Sequence, residues 1–90
     1  SAEPLELQVP SGDGWLIAVF HCNRTCPVTM WLDGEPPLSA LALNADHPTY
    51  ANGAVVAVWP VQPGQHNLIA QPDNVWTSRM SLAAFTVSAG

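Results

Sequence analysis

The chain has 90 residues, room for one domain with a thin core, because a chain of that size buries only about 60–65% of the surface it exposes when unfolded. Hydrophobic residues make up 48% and charged residues 10%, too apolar a balance for a disordered segment. Arg24 and Arg79 are the only fixed cations against seven carboxylates, which removes the phosphate contacts nucleic-acid binding depends on and disfavours anionic membranes.

Period-two alternation, broken by turn residues, runs through the sequence and predicts strands. Leu5-Glu6-Leu7-Gln8-Val9 alternates strictly and is expected to stop at Pro10, followed by a turn over Ser11-Gly12-Asp13-Gly14. Trp15 to Cys22 is a nearly continuous apolar run of strand length, which implies cover on both faces. Its apolar part, Trp15 to Phe20, is far short of the roughly 20 residues of a membrane-spanning helix. After the Cys22–Cys26 segment, Val28-Thr29-Met30-Trp31-Leu32 resumes as a strand and ends at Asp33-Gly34, a strong tight-turn signal. Glu35-Pro36-Pro37 then blocks regular pairing, each proline lacking a backbone donor.

Leu38 to Leu43 fits a strand or a single helical turn, and Asn44 to Gly53 reads as a loop. Ala54 to Val61 is a valine-rich strand, Gln62-Pro63-Gly64-Gln65 a type II turn, and His66 to Ala70 the returning strand of a hairpin. A second loop covers Gln71 to Ser78, a last strand Met80 to Val87, and Ser88-Ala89-Gly90 is a tail. Six or seven short strands without repeat or linker predict one all-β domain over residues 1–90, a small two-sheet sandwich or a small barrel.

Cys22 and Cys26 have three readings: a local disulfide stapling a thin-cored domain, two free thiols, or a metal or redox pair. The disulfide is favoured, because redox pairs usually sit two residues apart at a helix start and Pro27 follows here in extended chain. A disulfide places the protein in the periplasm or outside the cell, and the start at Ser1 without methionine reads as a processed product.

Met30-Trp31-Leu32-Asp33-Gly34, followed after an intervening segment by Val58-Trp59-Pro60-Val61-Gln62-Pro63-Gly64-Gln65-His66-Asn67-Leu68, resembles the PEGA-like and related transthyretin-like modules of bacterial envelope proteins. The shared layout is strand, Asp-Gly, strand, Pro-Gly-x-His, strand, over roughly residues 15 to 70. The resemblance implies a β-sandwich, Ig-like or transthyretin-like, with an accessory or interaction role outside the cytoplasm. It brings no catalytic residue with it.

The residues themselves give little catalytic chemistry. Adjacent residues of a strand point to opposite faces, so His21 and Cys22 make a poor dyad. His66 reads as a turn residue hydrogen-bonded to backbone and His47 as solvated, and no ligand spacing suggests a metal or another cofactor. Trp15, Trp31 and Trp59 lie in strands and read as core. Trp76 and Tyr50 lie in loops beside Asn74 and Asn52, the composition of a binding rim. The expectation is a non-enzymatic module that binds a protein partner, through these loops or an edge strand. The alternative is a carbohydrate-binding module in which Trp76, Tyr50 and Trp31 stack on sugars.

Overall fold

The computed structural model describes residues 3–22, 27–46, 51–72 and 79–90, with side chains left out for 44–46, 51 and 52. The alternation of the sequence becomes an alternation of burial. In β2 (Gly14–Cys22) Leu16, Ala18, Phe20 and Cys22 are buried while the intervening residues face outward. The other strands are β1 (Leu5–Ser11), β3 (Val28–Leu32), β4 (Ser39–Asp46), β5 (Ala51–Val61), β6 (Gly64–Pro72) and β7 (Met80–Ser88). They form two antiparallel sheets, β1-β6-β3 and β4-β5-β2-β7, which are not closed into a barrel. The fold is therefore a small two-sheet sandwich, and no helix occurs among the described residues.

The core lies between the sheets. Phe20 and Leu16 from one side meet Leu68 and Ala70 from the other, with Val9, Met30, Leu32, Ala57, Trp59 and Val61 around them. Full burial of side chains the size of Phe20 or Leu68 contributes about 1.5–3 kcal/mol each. The Trp59 indole is 3% exposed and donates its Nε1–H to the Glu35 carbonyl at 3.1 Å, which satisfies the one polar group it takes inside.

Three features of the chain differ from the sequence expectation: the hairpin around Pro63-Gly64, the strand end at Pro10 and the loop over 44–53. Ala51 to Val61 and Gly64 to Pro72 do not form a hairpin within one sheet; β5 and β6 belong to different sheets, and Gln62-Pro63 carries the chain over the edge between them. Gly12-Asp13 does the same for β1 and β2. The two crossings lie side by side: Ser11 pairs with Gly64 in one sheet, and three residues on Gly14 pairs with Val61 in the other, without a slip in register. Residues 5–22 and 51–72 thus form one long two-stranded ribbon folded across its middle, a corner made by strands that switch sheets.

Pro10 does not end its strand as expected, whereas Pro60 lies inside its strand as expected. Pro10 stays inside β1, an edge strand. Pro60 stays inside β5, opposite Trp15. The Val58 carbonyl accepts from Leu38 on the β4 side, and β4 pairs no further than Val58, so the missing donor of Pro60 faces a side with no partner strand. The expected loop over 44–53 is largely strand, with β4 running to Asp46 and β5 beginning at Ala51. Leu38 to Leu43 resolves as strand, since Ser39 to Leu43 all pair with β5.

The Asp33-Gly34 turn is as expected. Asp33 (φ 52°) and Gly34 (φ 80°) both take left-handed conformations, and Leu32 and Glu35 exchange two backbone hydrogen bonds of 2.9 Å. The prolines that follow send the chain to the other sheet after this one bridge.

Gly14 is where the corner is tightest. Its φ is 154°, and a Cβ there would overlap the Val87 carbonyl oxygen and lie 2.8 Å from the Ala89 nitrogen, both backbone atoms of the β7 end. Gly14→Ala should therefore cost more than about 2 kcal/mol, a fall in melting temperature of roughly 8 °C or more for a domain of this size. Gly12, whose Cβ would meet open space, is the control, and Gly12→Ala should melt near wild type. Equal melting temperatures for the two variants would contradict this reading of the corner.

Candidate functional site

The two sheets present outer faces of opposite character. On β1-β6-β3 the outward positions include Glu6, Gln8, Thr29, Gln65, Asn67 and Gln71, with Trp31 and Ile69 half-buried among them. Gln8 donates to the Asn67 side-chain oxygen at 2.6 Å. This face is an ordinary solvated one.

The outer face of β4-β5-β2-β7 has no Asp, Glu, Lys or Arg. From β2 it receives Trp15, Ile17, Val19 and His21, and from β5 Ala54, Val56, Val58 and Pro60. Strand β4 adds Ser39, Leu41 and Leu43, and β7 adds Ser81, Ala83, Phe85 and Val87. Register places these in rows across the sheet: Phe85, Ile17, Val58 and Ser39 form one, and Ala83, Val19, Val56 and Leu41 the next. Leu41 is 60% exposed and Phe85 52%. At the corner end, Trp15 and Pro60 line a recess of about 430 Å³ with Asp13, Gly14, Val61, Gln62 and Ala89.

Strand β4 extends this face sideways. Every residue from Ser39 to Leu43 is exposed and none of these belongs to the core cluster, so this part of the strand is carried by its ladder to β5. The smaller sheet is one strand narrower and leaves β4 uncovered on its inner side as well.

Trp59 is the one strand tryptophan in the core as expected. Trp15 is 40% exposed on the apolar outer face, and Trp31 lies half-buried on the polar one. The continuous apolar run of β2 correctly marks a central strand, but its outer side is covered by nothing among the described residues. His21 and Cys22 do point to opposite sides, His21 exposed and Cys22 fully buried. Of the expected binding residues, Asn52 has its backbone in β5 opposite Ala45, and Tyr50, Asn74 and Trp76 lie outside the described residues. Cys26, the expected partner of Cys22, and His47 also lie outside them.

A hydrogen-bonded cluster at the corner joins the two turn motifs of the sequence. His66 Nδ1 lies 2.8 Å from Asp33 Oδ2, and Asp33 Oδ1 accepts the Asn67 amide at 2.8 Å. On the other side of the ring, His66 Nε2 lies 2.8 Å from both Ser11 Oγ and the Gln62 carbonyl oxygen, and Ser11 Oγ donates to that carbonyl at 3.1 Å. Serine, histidine and aspartate in this order resemble a nucleophile with its base, but the carbonyl changes the chemistry. A neutral Nε2 would aim its lone pair at the Gln62 oxygen, and the serine proton is directed to the same oxygen. The arrangement satisfies every donor and acceptor best when the ring is protonated, donating from Nδ1 to Asp33 and from Nε2 to the corner. It is a clamp between the β3 turn and the ribbon corner. Sequence reasoning anticipated only its backbone contact, because the carboxylate lies 33 residues away.

The electrostatics agree. The hydrogen bond to Asp33 raises the His66 pKa above its usual 6.5 against the opposing effect of burial, and the Gln62 carbonyl adds to the rise. The Asn67 amide, then His66, hold Asp33 below its usual 3.8. Among the described residues no three of His, Cys, Asp and Glu gather as metal ligands would. No family model matches the chain, and neither a curated protein nor a solved structure is similar to it.

The clamp predicts a pH dependence. A raised histidine stabilises fully below its unfolded value of 6.5 and loses that contribution as pH rises through its folded value. A depressed aspartate stabilises above 3.8 and loses it as pH falls through its folded value. The contribution is thus largest between those two values and falls on either side. Asp33 is half-exposed and solvent-screened, so His66→Gln should cost only about 1 kcal/mol at pH 5 and less at pH 8 in urea unfolding. A cost that is the same at both pH values would remove the charged clamp.

Proposed function

We propose that this chain is a non-enzymatic protein-interaction module whose recognition surface is the outer face of the β4-β5-β2-β7 sheet. One observation carries the reading: four strands present an uncharged, apolar outer face while the opposite sheet of the same molecule wears amides and carboxylates. With strands about 4.8 Å apart and residues about 3.3 Å apart, such a face measures roughly 19 by 30 Å, at the upper end of the roughly 300–600 Å² that the largest, often functional, apolar patches of monomers reach. Burial of such a surface, rather than electrostatic steering, supplies the affinity, as suits a chain with two fixed cations. The exposed β4 edge supports the same class of function, since it offers unpaired backbone groups to a partner strand.

Carbohydrate binding is the second reading. What favours it is Trp31, set on the opposite face near Gln71 and Thr29, where a ring can stack and amides can bond hydroxyls. A periplasmic or secreted setting, in keeping with the resemblance to envelope modules, completes the proposal and depends on the Cys22–Cys26 disulfide. Because Cys22 is fully buried, alkylation is done in denaturant without reductant, and intact-mass measurement should show no label. Two adducts would remove the argument for an oxidising compartment.

A photoreactive phenylalanine analogue at position 85 tests the surface, with the same group at position 69 on the polar sheet as control. In cells producing the protein, position 85 should give discrete protein adducts and position 69 few. Adducts from position 69 alone would overturn the assignment.

A further inference from the structure

We infer that the occupant of this face is a second copy of the chain, the two four-stranded sheets packing face to face. The inference rests on the interaction-module reading and names its partner.

The argument begins with charge. The chain carries a net charge of −5, yet the carboxylates whose side chains are described, Glu3, Glu6, Asp13, Asp33 and Glu35, lie at the chain start, in turns or on the polar sheet, and Asp46 has its backbone at the far end of β4. A partner that buried a charge against Phe85, Ile17 or Val56 would lose hydration with little in return, since the ionisable groups of this side, His21 and Asp13, lie at its two ends and away from those residues. The face therefore selects a surface as uncharged as itself. A second copy supplies such a surface at equal concentration and brings its carboxylates to the periphery.

The dimensions fit as well. The projected face is about 600 Å² before side-chain relief is counted, close to the roughly 800 Å² per partner of a standard stable interface. The recess beside Trp15 and Pro60 continues the same surface toward the corner. Strand β4 adds a further reason. From Ser39 to Leu43 it stands outside the core with both sides exposed, although Leu41 and Leu43 are among the most exposed large apolar residues described. Packing of one outer face on another removes Leu41 and Leu43 from water and gives the overhanging strand a layer to rest on. The product is a pair of sandwiches joined through their larger sheets, with sheet-on-sheet spacing of about 10 Å as in the core.

A face-to-face pair related by a two-fold axis is isologous, so each residue enters the interface twice and every substitution counts double. Sedimentation equilibrium of the purified 90-residue chain should give the mass of two chains at about 100 µM. Phe85→Asp and Leu41→Asp should each weaken the association by at least about 100-fold, while Ile69→Asp on the polar face should leave it unchanged. Circular dichroism identifies any variant that loses its fold. Leu41 lies outside the core, so its variant keeps the test alive if Phe85→Asp unfolds. Monomers at 100 µM, or a dimer that survives both charged substitutions in folded protein, would overturn the inference. Adducts from position 85 to other proteins, with a monomeric purified chain, would sink the second copy and leave the interaction surface standing.

Discussion

The pairing of residues 5–22 with residues 51–72 fixes nearly everything else. Because the register continues across the corner, one alignment decides both sheets together, and every inward residue of β1, β2, β5 and β6 follows from it. A slip by one residue would turn one strand's inward set to the outside, Leu16 and Phe20 or else Trp59 and Leu68. The ribbon occupies the centre of the molecule, and the remaining strands are added to its sides: β3 beside β6, β7 beside β2, β4 beside β5. The clamp of Ser11, His66 and Asp33 sits where the ribbon bends and ties the β3 turn to it.

The division of polarity follows from this plan. Three strands cannot cover four, so the larger sheet keeps one strand outside the sandwich. A protein that meant this sheet to face water would place polar residues at its alternate positions. Here valine, isoleucine, leucine, tryptophan and phenylalanine occupy most of them, and no carboxylate does among the described residues. Low charge and high apolar content are thus not spread evenly; they are concentrated on one side.

Much of the fold was legible because alternation and turn chemistry are local. Leu5 to Val9, Met30 to Leu32 and the Asp33-Gly34 turn follow from their own residues and near neighbours. The corner was not legible for the opposite reason. Pro63-Gly64 has the composition of a hairpin turn, and only the partner ribbon, some 50 residues away, decides that the chain changes sheets there. The apolar run of β2 shows that the strand is central but not whether its second side meets another layer or water, so Trp15 could not be placed in advance. The apolar outer face was not legible for the same reason: it is assembled from four strands drawn from residues 14 to 88, and no single segment carries its pattern. His66 and Asp33 were each visible in a turn motif, but their meeting needed the fold.

The position of β7 bears on how the chain is made. This last strand pairs along the whole of β2, from Gly14 opposite Ser88 to Cys22 opposite Met80. On a ribosome, at roughly 5–20 residues per second, β2 emerges seconds before its final neighbour can exist. Throughout that interval its flank is an open strand edge bearing Trp15, Ile17 and Val19. The closing contacts join the two ends of the sequence, and pairings of such separation are slow to form. That edge stays adhesive until β7 closes it, and a holdase or a low local concentration of nascent chains would raise the yield of folded product.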